Sequence, residues 1–444
     1  MTTRTDAAGD VPIQPIEEGA ILCNPYEEPT EHWWYDPQSG GASKLEGRRP
    51  AGYWYKTERV NPQNLALFAQ EERDDLTLVN LLREDVTRWR DSGYRGASQV
   101  TRELLRHWSS PDLPRRLFFC QKEAVETIIY LAELRIPGMS SRTGFRNFAL
   151  ADADLQALLR GDQPSFADPN AAFFPRLIDA PSGSGLHPLR RLGCKMATGS
   201  GKTVVMAMLI AWAFCNRGSN PSSREYPNAV LVCCPNLTVK ERLQVLRPES
   251  SENYYDEFDI VPARYRTHLQ SGKVLIENWH RFLPESEHKE GDQSYSVVDK
   301  GPETPPTFAR RVLGDLYERM PIMVLNDEGH HCWRGAPSSE DLAKDEQQEL
   351  EEEEDEARVW LNGLDTLNVS TAERDGIVFC VDLSATPFYI KGSGYPEGSP
   401  FPWLVSDFGL VDAIESGIVK IPRLPVRHDG AAGSQILQAL AEHP

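Results

Sequence analysis

Apolar residues fall along this chain in two rhythms. Val79, Leu82, Val86 and Trp89 recur at the spacing of one helix face, Gly93 ends that helix, and Val100, Leu104 and Trp108 mark a second helix beginning near Ser98. A third is expected after Gln121. From Leu192 the pattern changes to short apolar runs separated by polar or helical stretches: Leu192–Met196, Ala229–Cys234, Val274–Glu277, Ile322–Leu325 and Ile377–Leu383. That alternation predicts a parallel sheet covered by helices on both faces, which takes its ligands at the carboxyl ends of its strands. The helix predicted over Thr203–Phe214 is apolar nearly all round, so Met206, Met208 and Trp212 read as core.

Other stretches break the rhythm. The first 75 residues are rich in Pro, Gly and aromatics, with Glu31-His-Trp-Trp-Tyr35 and Tyr53-Trp-Tyr55, and read as irregular structure or short strands. Pro284–Pro306 is a polar insert and Gly392–Pro402 a Gly/Pro loop. Asp341–Glu356, with its run Glu351-Glu-Glu-Glu-Asp-Glu356, reads as a solvated face or insert outside the working part of the molecule.

At 444 residues the chain is long enough for two or three domains. The formal charge of −19 argues against indiscriminate binding of nucleic acid by the whole surface. Its distribution softens that argument, because Arg83, Arg88, Arg90, Arg95, Arg102, Arg106, Arg115 and Arg116 form a locally basic stretch able to contact phosphates. No apolar stretch of membrane-spanning length occurs and the N-terminus lacks a secretory signal's apolar core, so the expected location is cytoplasmic, with no membrane partner. The eight cysteines are scattered without a Cys-x-x-Cys pair, as reduced thiols would be.

The chemistry is concentrated at strand ends. Met196-Ala-Thr-Gly-Ser-Gly-Lys-Thr203 joins an apolar strand to an apolar helix. In such a run Thr198, Gly199, Ser200 and Gly201 let backbone N–H groups curl around phosphate oxygens, Lys202 supplies a positive charge for the β and γ phosphates, and Thr203 a hydroxyl ligand for Mg²⁺. The predicted ligand is therefore ATP with Mg²⁺. Met323-Val-Leu-Asn-Asp327-Glu328-Gly-His330-His331 ends another strand in paired carboxylates, with Asp327 expected to hold the metal and Glu328 the attacking water. His330 is expected to reach toward Asp382-Leu-Ser384-Ala385-Thr386-Pro387, whose hydroxyls can couple the carboxylates to a neighbouring domain. His330, His331 and Cys332 diverge from a strand end and lack a second ligand group with zinc spacing.

Together these runs resemble a DEAD/DEAH-box superfamily 2 helicase: Met196–Thr203 resembles motif I, Asp327–His330 motif II in its Asp-Glu-Gly-His form, and Ser384–Thr386 motif III. The resemblance implies an α/β, RecA-like P-loop domain with a parallel sheet flanked by helices, preceded by an irregular and helical N-terminal region. It divides the chain into 1–75 (irregular), 76–190 (helical, with an adenine-reading glutamine element), 191–405 (first motor domain) and 406–444 (connector and start of a second). Phe119-Cys-Gln121-Lys-Glu-Ala124 resembles the upstream glutamine element, in which Gln121 would read adenine. Cys234-Pro-Asn-Leu-Thr238-Val-Lys240 and Asn278-Trp-His280-Arg281-Phe282 resemble motifs Ia and Ib, which contact nucleic-acid backbone, so Thr238, Lys240, Asn278, His280 and Arg281 become candidate contacts.

Asn24-Pro-Tyr-Glu-Glu-Pro29, Gly47-Arg-Arg-Pro50, Asp259-Ile-Val-Pro262 and Asp407-Phe-Gly-Leu-Val-Asp412 are similar to segments of the restriction (Res) subunit of type III restriction enzymes. This implies an ATP-dependent motor on double-stranded DNA, with a DNA-methyltransferase (modification) subunit as a further partner. No later motif with paired arginines and no nuclease core are found. The expectation is thus the N-terminal part of a larger machine, with low turnover until a C-terminal motor and nuclease portion, or a separate chain, completes it. A non-catalytic nucleotide-binding module and an RNA helicase fragment are the alternatives.

Overall fold

The computed structural model describes residues 20–35, 42–57, 70–145, 147–169, 173–181, 187–283, 303–335, 344–390 and 392–420. Most of the polar insert after Pro284 and the connector beyond residue 420 lie outside the described residues.

The N-terminal region forms two antiparallel pairs, β1 (Glu31–Tyr35) with β2 (Ala42–Glu46) and β3 (Gly52–Thr57) with β4 (Gln70–Asp75). Four helices follow: α1 (Thr77–Asp91), α2 (Gln99–Trp108), α3 (Phe119–Ile129) and α4 (Asp152–Arg160). The predicted stripe of α1 is its buried face, and Ser98 caps α2 by accepting from Thr101 N. Helix α3 begins two residues before Gln121, which therefore sits in its first turn and accepts from Phe118 N at 2.9 Å.

Alternation then sets in with β5 (Ile178–Asp179), β6 (Leu189–Met196), α5 (Lys202–Ser219), β7 (Ala229–Cys234), α6 (Leu237–Arg242), α7 (Tyr254–Glu257), α8 (Arg266–Ser271) and β8 (Lys273–Asn278). It continues through α9 (Pro305–Leu313), β9 (Ile322–Asp327), α10 (Lys344–Ser370), β10 (Ile377–Ser384), β11 (Leu404–Phe408) and α11 (Leu410–Glu415). The sheet runs β11-β6-β10-β9-β7-β8, all parallel, with β5 antiparallel on β6. Strands β7 and β9 are buried along their whole length, as continuous apolar runs require when helices cover both faces. On one face α5, buried from Val204 to Asn216, packs against α2, α3 and α8. On the other, Phe308 and Val312 of α9 meet Trp360 and Leu364 of α10.

Three sequence expectations change here. Of the two readings of the acidic run, a solvated helix face holds and a separable insert does not: Lys344–Glu356 is the first half of α10, partly exposed over Glu351–Glu356, and the second half buries Trp360, Leu361, Leu364 and Leu367. Local charge hid a helix anchored by its far end. Second, β11 is a full member of the sheet and crosses residue 405, where the motor unit was expected to end. Its Asp407 reads as polar but is buried against Lys195 at 2.9 Å, and Phe408 O accepts from Ala197 N at 2.9 Å, so this strand braces the phosphate loop. Third, half of the basic stretch is used internally. Arg83 donates to the carbonyls of Arg49 and Asp407, Arg88 pairs with Asp85, Arg90 with Glu126 and Arg115 with Glu257.

Candidate nucleotide site

Strand β6 ends at Met196 and α5 starts at Lys202, so the loop Ala197–Gly201 crosses the carboxyl edge of the sheet. Gly199 and Gly201 adopt φ of 83° and 92°, a left-handed backbone that side chains resist and that curls the loop. Ser200 closes it from within, its hydroxyl donating to Ala197 O at 2.6 Å and its N–H to the same carbonyl at 3.1 Å. Thr198 and Gly199 are exposed at the tip. The 18-residue helix that follows points its positive end at this loop.

Gln121 supports the loop from below. Its amide is 4% exposed and donates to Ser200 O at 2.9 Å while its carbonyl oxygen holds Phe118 N. A Cβ at Gly201 would fall 2.1 Å from Gln121 Nε2, so the second loop glycine is required by this approach as well as by its backbone. Both ends of the side chain expected to read adenine are thus engaged with protein backbone.

Next to β6, across β10, strand β9 delivers Asp327 and Glu328 to the same edge. Glu328 takes φ 49° and starts the short turn Gly329–His331. Its carboxylate receives the Lys202 ammonium at 2.6 Å, bringing the phosphate loop and the paired carboxylates into contact. Asp327 is 4% exposed, and its Oδ1 is buried without a hydrogen-bond partner. Burial, and then the charge of Glu328, raise its carboxyl to about 6. A buried carboxylate oxygen with no donor is a place a cation can fill, and carboxylate oxygen is a ligand suited to Mg²⁺. The residues present therefore fit a divalent ion.

The histidine after this pair makes the contact the sequence anticipated. His330 Nδ1 and Ser384 Oγ are 2.9 Å apart, Ser384 Oγ also accepts from Thr386 N at 3.0 Å, and Ala385 lies in the turn between them. Burial, with His331 next to it, lowers His330 to about 4, so the ring is neutral at pH 7. His331 stands against Glu356 of α10, Nδ1 to Oε2 3.8 Å.

Behind the edge lies a buried polar group that sequence reasoning missed. Arg191, fully buried on β6, donates to Asp382 at 2.8 Å, to Asp179 at 2.9 Å and to Cys332 O at 2.6 Å, with its guanidinium 3.9 Å from the Trp403 ring centroid. Asp382 also accepts from Asn326 at 2.6 Å. Arg191 thereby ties the strand before the phosphate loop to the turn after Glu328 and to the strand carrying Ser384. In the sequence it is the second of two adjacent arginines, Arg190 and Arg191, at the start of a strand, and only its three-dimensional partners reveal it.

The residues expected at nucleic acid occupy the far end of the same edge. Thr238 is exposed on α6, whose residues are all outside the core. Lys240 is held by Glu277 at 2.6 Å. Asn278 ends β8, and exposed His280 stacks on Trp279 at 3.8 Å. Arg281 donates to Arg311 O at 2.8 Å and Arg311 to Arg281 O at 3.0 Å, so this cation also braces its own turn.

A curled phosphate loop, paired carboxylates two strands away and a histidine bridging to the adjacent strand define a RecA-like P-loop motor fold. Residues 117–387 match the family described as type III restriction enzyme, res subunit, and the chain belongs to that family. It carries a superfamily 2 helicase-like, ATP-binding motor domain. No curated protein and no solved structure matches the chain. No helix among the described residues is long and apolar enough to cross a membrane.

Proposed function

We propose that this chain binds ATP with Mg²⁺ and hydrolyses it to drive movement along double-stranded DNA, as the motor of a type III restriction-like system. The observation that carries the proposal is the Lys202–Glu328 contact, which puts the phosphate-binding cation and the water-orienting carboxylate in one small space with the unpartnered Asp327 oxygen beside it. Thr198–Gly201 and the start of α5 wrap the phosphates, Lys202 neutralises their oxygens, and Thr203 and Asp327 hold Mg²⁺. When bound, the ion screens the phosphate charge and polarises the γ-phosphoryl group. Leaving Lys202 to the nucleotide frees Glu328 to orient water and take its proton. The His330–Ser384 bond carries the resulting change at Glu328 to the Ser384–Thr386 turn, and the exposed Thr238 and His280 face the DNA, with Asn278 buried behind them.

The test is hydrolysis by the chain with and without duplex DNA, against duplex RNA as control, alongside titration of a fluorescent ATP analogue. Tight Mg²⁺-dependent binding, DNA-stimulated release of phosphate and loss of turnover in Glu328→Gln are expected. Binding without any turnover would favour the non-catalytic module, and stimulation by RNA alone would transfer the track to RNA.

A further inference from the structure

We infer that α10 is a rigid link between the paired-carboxylate strand and the turn that follows β8, with Trp360 and Gly363 as its positioning residues. The inference rests on the nucleotide-binding reading above and adds a route by which that site reaches the opposite end of the edge.

Glu356, Trp360 and Gly363 stand at i, i+4 and i+7, which places them on one stripe of the helix. Each touches a different part of the machinery. Glu356 lies against His331 in the turn after Glu328, at 3.8 Å. Trp360, fully buried, donates its ring N–H to Asn326 Oδ1 at 3.2 Å, and Asn326 immediately precedes Asp327. Gly363 meets Phe282, the last residue of the Trp279–Phe282 turn, so closely that a Cβ there would be 2.4 Å from the Phe282 ring. Trp279 and Phe282 pack in the same apolar cluster as Trp360, Leu361 and Leu364. Two turns of helix, about 10 Å, therefore span from the carboxylate strand to the β8 turn. Two residues further on, Arg334 holds Asp365 with two bonds of 2.8 and 2.9 Å, which fixes the helix against rotation.

Glycine in a helix interior is destabilising relative to alanine, and at position 363 the close approach of Phe282 accounts for it. A helix is stiff over two turns, so a shift of Asn326 or His331 on nucleotide binding is passed to Phe282 rather than absorbed. The β8 turn is the element whose exposed His280 faces outward, so the link ends where a nucleic-acid strand is proposed to lie.

Hydrogen–deuterium exchange with and without Mg²⁺ and a non-hydrolysable ATP analogue tests the link on the whole chain. In wild type, exchange is expected to change both in residues 197–205 and in residues 278–283. Trp360→Phe, which keeps an aromatic ring but removes the indole N–H, and Gly363→Ala, which drives a methyl into Phe282, should each keep the first response and lose the second. The double variant Gly363→Ala/Phe282→Leu makes room for the methyl and should restore it, a rescue that general destabilisation does not produce. DNA stimulation of hydrolysis should fall roughly 2- to 30-fold in the two single variants, with unstimulated hydrolysis unchanged. A phosphate-loop response with none at 278–283 in wild type, or a turn response that persists in both single variants, overturns the link. Absence of any phosphate-loop response overturns the nucleotide site itself, and the link from it falls too.

Discussion

The ammonium of Lys202 rests 2.6 Å from the Glu328 carboxylate, so the cation proposed for phosphate is held by the group proposed for water. On that proposal, nucleotide competes with the pair. Both partners are partly solvated, which keeps the competition modest.

Glu328→Gln is therefore expected to bind Mg²⁺·ATP more tightly than wild type, by about fivefold if the pair is worth ~1 kcal/mol. Its turnover should fall by roughly 10²-fold or more because the base is gone. Lys202→Ala should lose most affinity. Equal affinities of wild type and Glu328→Gln would show that the pair does not restrain the lysine.

Gln121 braces Ser200 O and Phe118 N rather than presenting a free amide. Gln121→Ala leaves both unsatisfied, costing on the order of 1–3 kcal/mol. The expected result is a similar loss of affinity for ATP and GTP, measured side by side by titration. A loss confined to ATP would instead make the side chain an adenine reader.

Asp327 supplies a pH signature. Burial and Glu328 hold its carboxyl at about 6, above an unfolded aspartate near 4. The folded state thus binds this proton more tightly, and the associated stability is fully present below pH 4 and lost as pH rises through 6. Asp327→Asn does not ionise. In Mg²⁺-free urea melts it should be more stable than wild type at pH 8 by on the order of 3 kcal/mol, with the gap closing toward pH 4. A gap independent of pH would place the gain elsewhere.

The two halves of α10 should respond very unequally to substitution. Asp355 and Arg358 form an exposed pair, so Asp355→Asn should change stability by less than about 0.5 kcal/mol. Trp360 is fully buried, and Trp360→Ala should cost about 3–5 kcal/mol. Denaturant midpoints of the two variants, compared with wild type, check this directly.

Local pattern alone determined much of this protein. Apolar runs at strand length, separated by helical stretches, fixed the parallel sheet, because strands buried on both faces have to be continuously apolar. Gly199, Gly201, Lys202, Asp327 and Glu328 were legible as a candidate phosphate site because that chemistry needs particular residue types at particular spacings, and the His330–Ser384 contact followed from two strand ends on one edge. Partnership across the fold was not legible. Burial of Arg191, Asp382 and Asp407 depends on which strands become neighbours, and a charged residue in a sequence carries no mark of the opposite charge that will compensate it 100 or more residues away. The same holds for α10: its acidic half looked like a detachable insert until Trp360 and Gly363 met Asn326 and Phe282, contacts that exist only after the sheet has brought β8 and β9 to one edge.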